Sequence, residues 1–171
     1  ASARIFVGAS AAGLAEGVIT PADGIFCNGA KVFYKRAFHC WKAGGHGFMN
    51  LEAALKNSCD VYFYTMSVRM GPDPIAKVAK SFGFGKVFDI GIPGQKKGIV
   101  PSTDWKKEYF KGTENTRWWP GETPSYAIGQ GALQVEGAHH PVFGGAQRQI
   151  DHRHRHAVAL DRALAGFQRA A

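Results

Sequence analysis

The sequence predicts an α+β chain in which helices dominate, and three observations predict it. Apolar residues make up 45% and charged residues 20% of 171 positions, a globular composition with length for about one domain and one buried core. Apolar side chains recur at helical spacing within residues 51–55, 60–70 and 73–82. Residues 25–41 instead alternate apolar and polar positions around Asn28-Gly29, the pattern of a short hairpin.

Taken in order, residues 4–16 are Ala-rich with weak helical patterning that ends toward Gly17, and Val18-Ile19-Thr20-Pro21 reads as an extended exit, since the residue before Pro avoids the helical region. The hairpin follows, then a loop over Gly44-Gly45-His46-Gly47. Asn50 is a natural N-cap for a helix beginning Leu51-Glu52-Ala53-Ala54-Leu55. The helix from Asp60 to Met70, stopped by Gly71, is apolar on more than one stripe and should be largely buried. Asp73-Pro74 reads as N-cap and first residue of a helix ending at Gly83. Residues 85–101 read as loop with one short strand, Thr103-Asp104 as the cap of a helix to Phe110, and 111–126 as loop. A final amphipathic helix is expected over 157–170 through Leu160, Leu164 and Phe167. No stretch approaches the ~18 consecutive apolar residues of a membrane-spanning helix. The N-terminal run is a poor signal peptide, so any membrane anchor is expected outside the chain.

The net charge is +8, from 21 basic and 13 acidic residues. That balance permits nucleic acid, anionic lipid or an acidic polymer as partner and selects none of them. Its character changes abruptly: residues 1–130 hold 12 Lys and 4 Arg, whereas residues 131–171 hold no Lys, 5 Arg and five of the seven His. Three cysteines exclude a fully paired disulfide framework. With one histidine they read Cys27-x12-Cys40-x5-His46-x12-Cys59, a set of three thiolates and an imidazole that suits a closed tetrahedral zinc site. The hairpin would bring Cys27 and Cys40 together, and the Gly-rich loop would let His46 reach them. The spacing is not that of a compact zinc finger, and three buried cysteines acting as small hydrophobes, with His46 as a loop hydrogen bonder, fit it as well. His39 is the spare nitrogen donor, although beside Cys40 in a strand its side chain should point the other way.

Longer fragments carry a resemblance. Phe38-His39-Cys40-Trp41-Lys42, Gly45-His46-Gly47, Ser58-Cys59-Asp60, Val61-Tyr62-Phe63-Tyr64 and Phe82-Gly83-Phe84-Gly85 are followed by Asp89-Ile90-Gly91-Ile92-Pro93-Gly94, Trp119-Pro120-Gly121-Glu122-Thr123 and Ile128-Gly129-Gln130-Gly131. In this order they resemble the transpeptidase domain of class B penicillin-binding proteins, of the penicillin-binding protein 2 type found in the Gram-negative elongation machinery, over roughly residues 9–131. The resemblance implies an α+β serine acyltransferase of the serine β-lactamase-like fold, of which this chain would be mainly the helical part. It implies peptidoglycan stem peptides and β-lactams as ligands, elongation-machinery membrane proteins as partners, no nucleic acid, and a place on the periplasmic face of the bacterial inner membrane. In that family a Ser-x-x-Lys supplies the activated nucleophile, Ser-x-Asn or Ser-x-Asp relays protons, and a Lys-(Ser/Thr)-Gly strand binds the substrate carboxylate. Ser58 and Asp60 match the second motif. The resemblance also implies a structural zinc ion at Cys27, Cys40, His46 and Cys59.

The chain departs from that pattern at both ends. Counting back the family's interval from Gly17-Val18-Ile19-Thr20 places the nucleophile at Ala3 and its base at Phe6, neither of which can do the chemistry. No Ser-x-x-Lys and no Lys-(Ser/Thr)-Gly occurs in the 171 residues. After Gly131 an apolar helix is expected, yet the chain runs into a His/Arg-rich stretch that looks like a frameshift or a replaced terminus. The expected organisation is therefore a partial transpeptidase domain over 1–131 and a divergent tail over 132–171, inactive as it stands. Outside the family context, Ser58 and Asp60 would simply be helix-start residues, and Trp41, Trp118 and Trp119 are read as packing residues without function. Gly129-x-Gly131 lacks the context of a phosphate loop. The competing reading is a zinc-stabilised basic module whose tail, with its 152–156 His/Arg run, contacts nucleic acid or another anionic polymer.

Overall fold

A computed structural model describes residues 2–87 and 97–134. Six helices, α1 (Ser2–Ala15), α2 (Leu51–Asn57), α3 (Asp60–Met70), α4 (Pro72–Ser81), α5 (Thr103–Tyr109) and α6 (Glu122–Ala127), accompany four short strands, β1 (Ile25–Cys27), β2 (Ala30–Phe33), β3 (Arg36–His39) and β4 (Gly47–Met49). Helix α3 is the centre. Every residue from Val61 to Ser67 is buried, which explains why its sequence is apolar on all sides rather than striped. Around it pack α1, α6, α2 and β1, with α4 closing over α1. The approach of α1 is close: a Cβ at Gly13 would sit 2.9 Å from Met66 Sδ. The main core joins Phe6, Ile19, Ile25, Phe38, Leu51, Phe63 and Met66 with the three cysteines.

The strand pairing differs from the hairpin expected around Asn28-Gly29. β1 pairs antiparallel with β4, Cys27 opposite Gly47, and β2 pairs with β3, Ala30 opposite His39. The hairpin tip is Tyr34-Lys35, with φ 51° and 63°, a left-handed pair made without glycine. Gly29 serves another purpose, lying so close to the carbonyl of Ala43 that a Cβ would collide with it.

Asn50 caps α2 as expected, its side chain accepting from the Ala53 amide at 2.9 Å. Three other ends move. α4 starts at Pro72 rather than after Asp73; the Asp73 carboxylate instead accepts from the Thr103 amide and hydroxyl at 2.8 and 2.7 Å, tying α4 to α5. The cap of α5 is Ser102, which accepts from the Trp105 amide at 3.0 Å. The stretch 111–126, read as loop, contains a single 3-10 turn at Glu114–Thr116 and the start of α6. The strand expected within 85–101 is represented among the described residues by one bridge, Ile99 to Gln134. The expected helix over 157–170 and the His/Arg run lie outside the described residues. Among the described residues no helix is long and apolar enough to cross a membrane.

Candidate functional site

Three backbone features bring Cys27, Cys40, His46 and Cys59 to one point. The β1–β4 ladder sets Cys27 against Gly47, so His46 arrives beside it. The Cys40 amide donates to Gly29 O at 2.8 Å, closing the base of the β2–β3 hairpin and setting Cys40 next to the exit from β1. Cys59 is the residue immediately before α3 and points into the same space. Gly45, at φ 75°, lets the ligand loop lie flat on Cys27-Asn28, where a side chain would strike the backbone. As a result one donor atom from each of the four residues lies within 4.8 Å of the others, with all three thiols buried. His46 Nδ1 is 3.7 Å from Cys27 Sγ and 3.5 Å from Cys40 Sγ. Ligands around tetrahedral zinc stand about 3.5–4 Å apart, so this donor set fits a single ion with little adjustment. His39 is exposed and faces away, as strand alternation requires.

The electrostatics of the thiols are uneven. A hydrogen bond from Cys59 and backbone amides at Lys42, Val61 and Asp60 hold the Cys40 thiol down at about 4. The same contact with Cys40, together with burial, pushes the Cys59 thiol up. The two shifts run in opposite directions because Cys40 and Cys59 share a hydrogen bond, and Cys40 also lies near the N-terminus of α3, where amide groups converge.

The turn joining α2 to α3 carries Ser58 and Asp60 on either side of Cys59. Ser58 ends α2 at φ 49°, ψ 50°, a left-handed conformation unusual for a serine. Asp60 begins α3 and accepts the Trp41 amide at 2.9 Å through Oδ2. Burial pushes its carboxyl up to about 7, against the Trp41 amide, which favours the ionised form. The Trp41 indole Nε1–H is shared between Asn57 O at 3.1 Å and Ser58 O at 3.0 Å. Its sequence position beside Cys40 is the signal that reading it as a packing residue overlooked.

Ala3 and Phe6 both lie on α1, within its first two turns. Phe6 is only 2% exposed and stacks on Phe63 with ring centroids 4.3 Å apart. The position holds core hydrocarbon and no proton acceptor. A separate cavity of about 310 Å³ is lined by Arg36, Trp105, Trp118, Gln130 and the Lys106–Glu122 ion pair.

The family model for the penicillin binding protein transpeptidase domain matches residues 7–136. The peptidoglycan D,D-transpeptidase MrdA of Acinetobacter baumannii is 39% identical over 96 residues, which cover 56% of this chain and 14% of that protein. Among solved structures, Pseudomonas aeruginosa PBP2 superposes with a TM-score of 0.69 at 32% identity, covering 77% of this chain and 29% of that one. PBP2 of Helicobacter pylori, solved in complex with MreC, gives 0.71 at 31% identity, covering 79% of this chain and 24% of its own. The chain therefore spans less than a third of each of these relatives.

Proposed function

Because the chain belongs to the penicillin-binding protein transpeptidase family and is of the PBP2 type, we propose that it is a piece of a peptidoglycan D,D-transpeptidase domain. In this piece a structural zinc ion pins the second catalytic motif, while the acyl-transfer machinery itself is missing. The observation that carries this reading is the position of Cys59. It is one of four converging metal donors and it stands between Ser58 and Asp60 in a single turn. A Cys3His set leaves no open position for water or substrate, so the metal's role is structural. Zinc held there fixes the β1–β4 ladder, the hairpin base and the ligand loop to the start of α3.

In the intact family mechanism a serine hydroxyl attacks the acyl carbonyl while a lysine takes its proton. On the proposed correspondence Ala3 offers no hydroxyl and Phe6, stacked in the core, accepts no proton. Ser58 and Asp60 would be the surviving members of the second motif, whose part in the family is to relay protons and hold the lysine. The proposed domain portion is 1–131, with 132–171 a divergent tail. The whole protein's ligands would be stem peptides and β-lactams, its partners membrane proteins of the elongation machinery, and its place the periplasmic face of the inner membrane. No nucleic acid is required.

Two measurements on the purified chain test the proposal. Incubation with a fluorescent penicillin should leave no label that survives boiling in detergent, and restoring Ala3→Ser with Phe6→Lys should not change that, since the carboxylate-binding strand is still lacking. Elemental analysis of protein prepared without added metal should give close to one zinc per chain. A boil-resistant labelled band would overturn the catalytic half, and a metal-free chain with three freely titrating thiols the structural half.

A further inference from the structure

Trp41 touches both halves of this site. It follows Cys40 in the chain, and its indole meets the His46 ring edge-on, with centroids 5.0 Å apart at 66°. Its backbone amide donates to Asp60, and its indole N–H donates to the carbonyls of Asn57 and Ser58. Those carbonyls belong to the last turn of α2, where helical partners run out. The turn beyond them is held in a left-handed conformation at Ser58 that a serine does not adopt without support. No other side chain among the described residues donates to the 57–58 carbonyls.

Packing alone does not account for this residue. Trp41 is 57% exposed, and at that exposure water can replace its hydrogen bonds to the carbonyls. What water cannot supply is direction. Two donors on one rigid residue, fixed at one end by a metal ligand and braced on another, define where the 57–60 turn lies relative to the cluster.

We propose that Trp41 is the positioning residue that couples occupancy of the Cys27–Cys40–His46–Cys59 cluster to the geometry of the Ser58–Asp60 turn. With zinc bound, Cys40 and His46 are immobilised, Trp41 is held between them, and its N–H groups lock the turn. Without metal the same residue moves with a loosened loop, and the turn is released. The coupling rests on the zinc reading given under the proposed function.

The test is amide and indole NMR on the full chain, metal-free and after addition of zinc chloride. In the wild type, zinc should shift the Trp41 indole N–H resonance, identified by its Overhauser contacts to Ser58. It should also slow exchange of the Ser58 and Cys59 amides about tenfold, the worth of one to two ordinary hydrogen bonds. Trp41→Phe keeps an aromatic ring but loses the indole donor. It should still bind one zinc per chain, yet slow those two amides less than twofold. Equal protection in Trp41→Phe, with one zinc bound, would overturn the coupling and leave the metal site standing. Failure of the wild type to bind zinc would overturn the metal reading and the coupling together. Should Trp41→Phe not fold, the wild-type indole decides alone, because a resonance unmoved by stoichiometric zinc overturns the coupling.

Discussion

On the proposed correspondence Phe6→Lys puts a lysine at the position of the family's general base, and the structure says what it would cost. Phe6 is nearly sealed from solvent and stacks on Phe63. Phe6→Leu, the apolar control, loses the aromatic pair and part of the ring's burial, together about 1–2 kcal/mol. Lysine adds the problem of its charge. An ammonium in that surrounding can escape by giving up its proton, and holding lysine neutral at pH 7 against an unfolded pKa of ~10.4 costs at most about 4–5 kcal/mol. The two effects together bring Phe6→Lys to at most about 6–7 kcal/mol, within the ~5–15 kcal/mol that holds a typical domain together. The sign of its pH dependence follows. The introduced lysine binds fewer protons folded than unfolded, so stability should rise with pH until the unfolded-state value is passed. Urea denaturation followed by far-ultraviolet circular dichroism, at pH 7 and pH 9, measures both effects. If Phe6→Lys unfolded within about 1 kcal/mol of Phe6→Leu at pH 7 and gained nothing at pH 9, the site would be open to water and this account of position 6 would be wrong.

Other consequences are measurable in the same preparations. Chelation should lower the wild-type melting temperature but leave Cys40→Ser unchanged, because ligation energy is folding energy and the variant has already lost it; equal shifts in both would argue against a metal. Glu122→Ala should cost more than Lys106→Met in chemical denaturation, by about 1–3 kcal/mol, since the first strands a buried cation over Trp118 while the second removes it. A reversed order would mean that the pair is solvated. Asn50→Ala should cost about 1 kcal/mol through the lost cap on α2, and an unchanged urea midpoint would show that α2 is held by packing alone.

The helices and the donor set were readable for opposite reasons. α3 announces itself because eleven residues run without a breaker between Cys59 and Gly71, and its all-round apolar character is what a central helix needs. The four donors were readable because thiols and imidazole are few and their chemistry is narrow. The strands were not. β1 and β4 are three residues each, paired across the intervening hairpin, and their register is dictated by where the loop of Gly45 and His46 can lie. Nothing periodic marks such a pairing. Asn28-Gly29 carries the sequence signature of a hairpin tip, yet the glycine serves a close backbone approach while Tyr34-Lys35 turns the chain in a conformation that neither residue prefers. Asp73 reads as a cap because aspartate before proline usually is one; its carboxylate is instead drawn to Thr103, thirty positions away. α6 is six residues long, carries Pro124 in its first turn and has no side-chain cap, so little in the sequence distinguishes it from loop.

All four candidate donors fall between Cys27 and Cys59, in one unbroken stretch, whereas α1, with the positions proposed for nucleophile and base, lies before that stretch. A clip of this kind closes only short loops, and short loops lose little chain entropy when they close. Assembly of the cluster can therefore precede the docking of α1, as a local event rather than a product of the finished fold. It also makes the two properties separable by accident. On the proposed reading, changes confined to the residues before Cys27 or after Cys59 would alter the groups assigned to acyl transfer while sparing the four donors and the turn that carries Ser58 and Asp60.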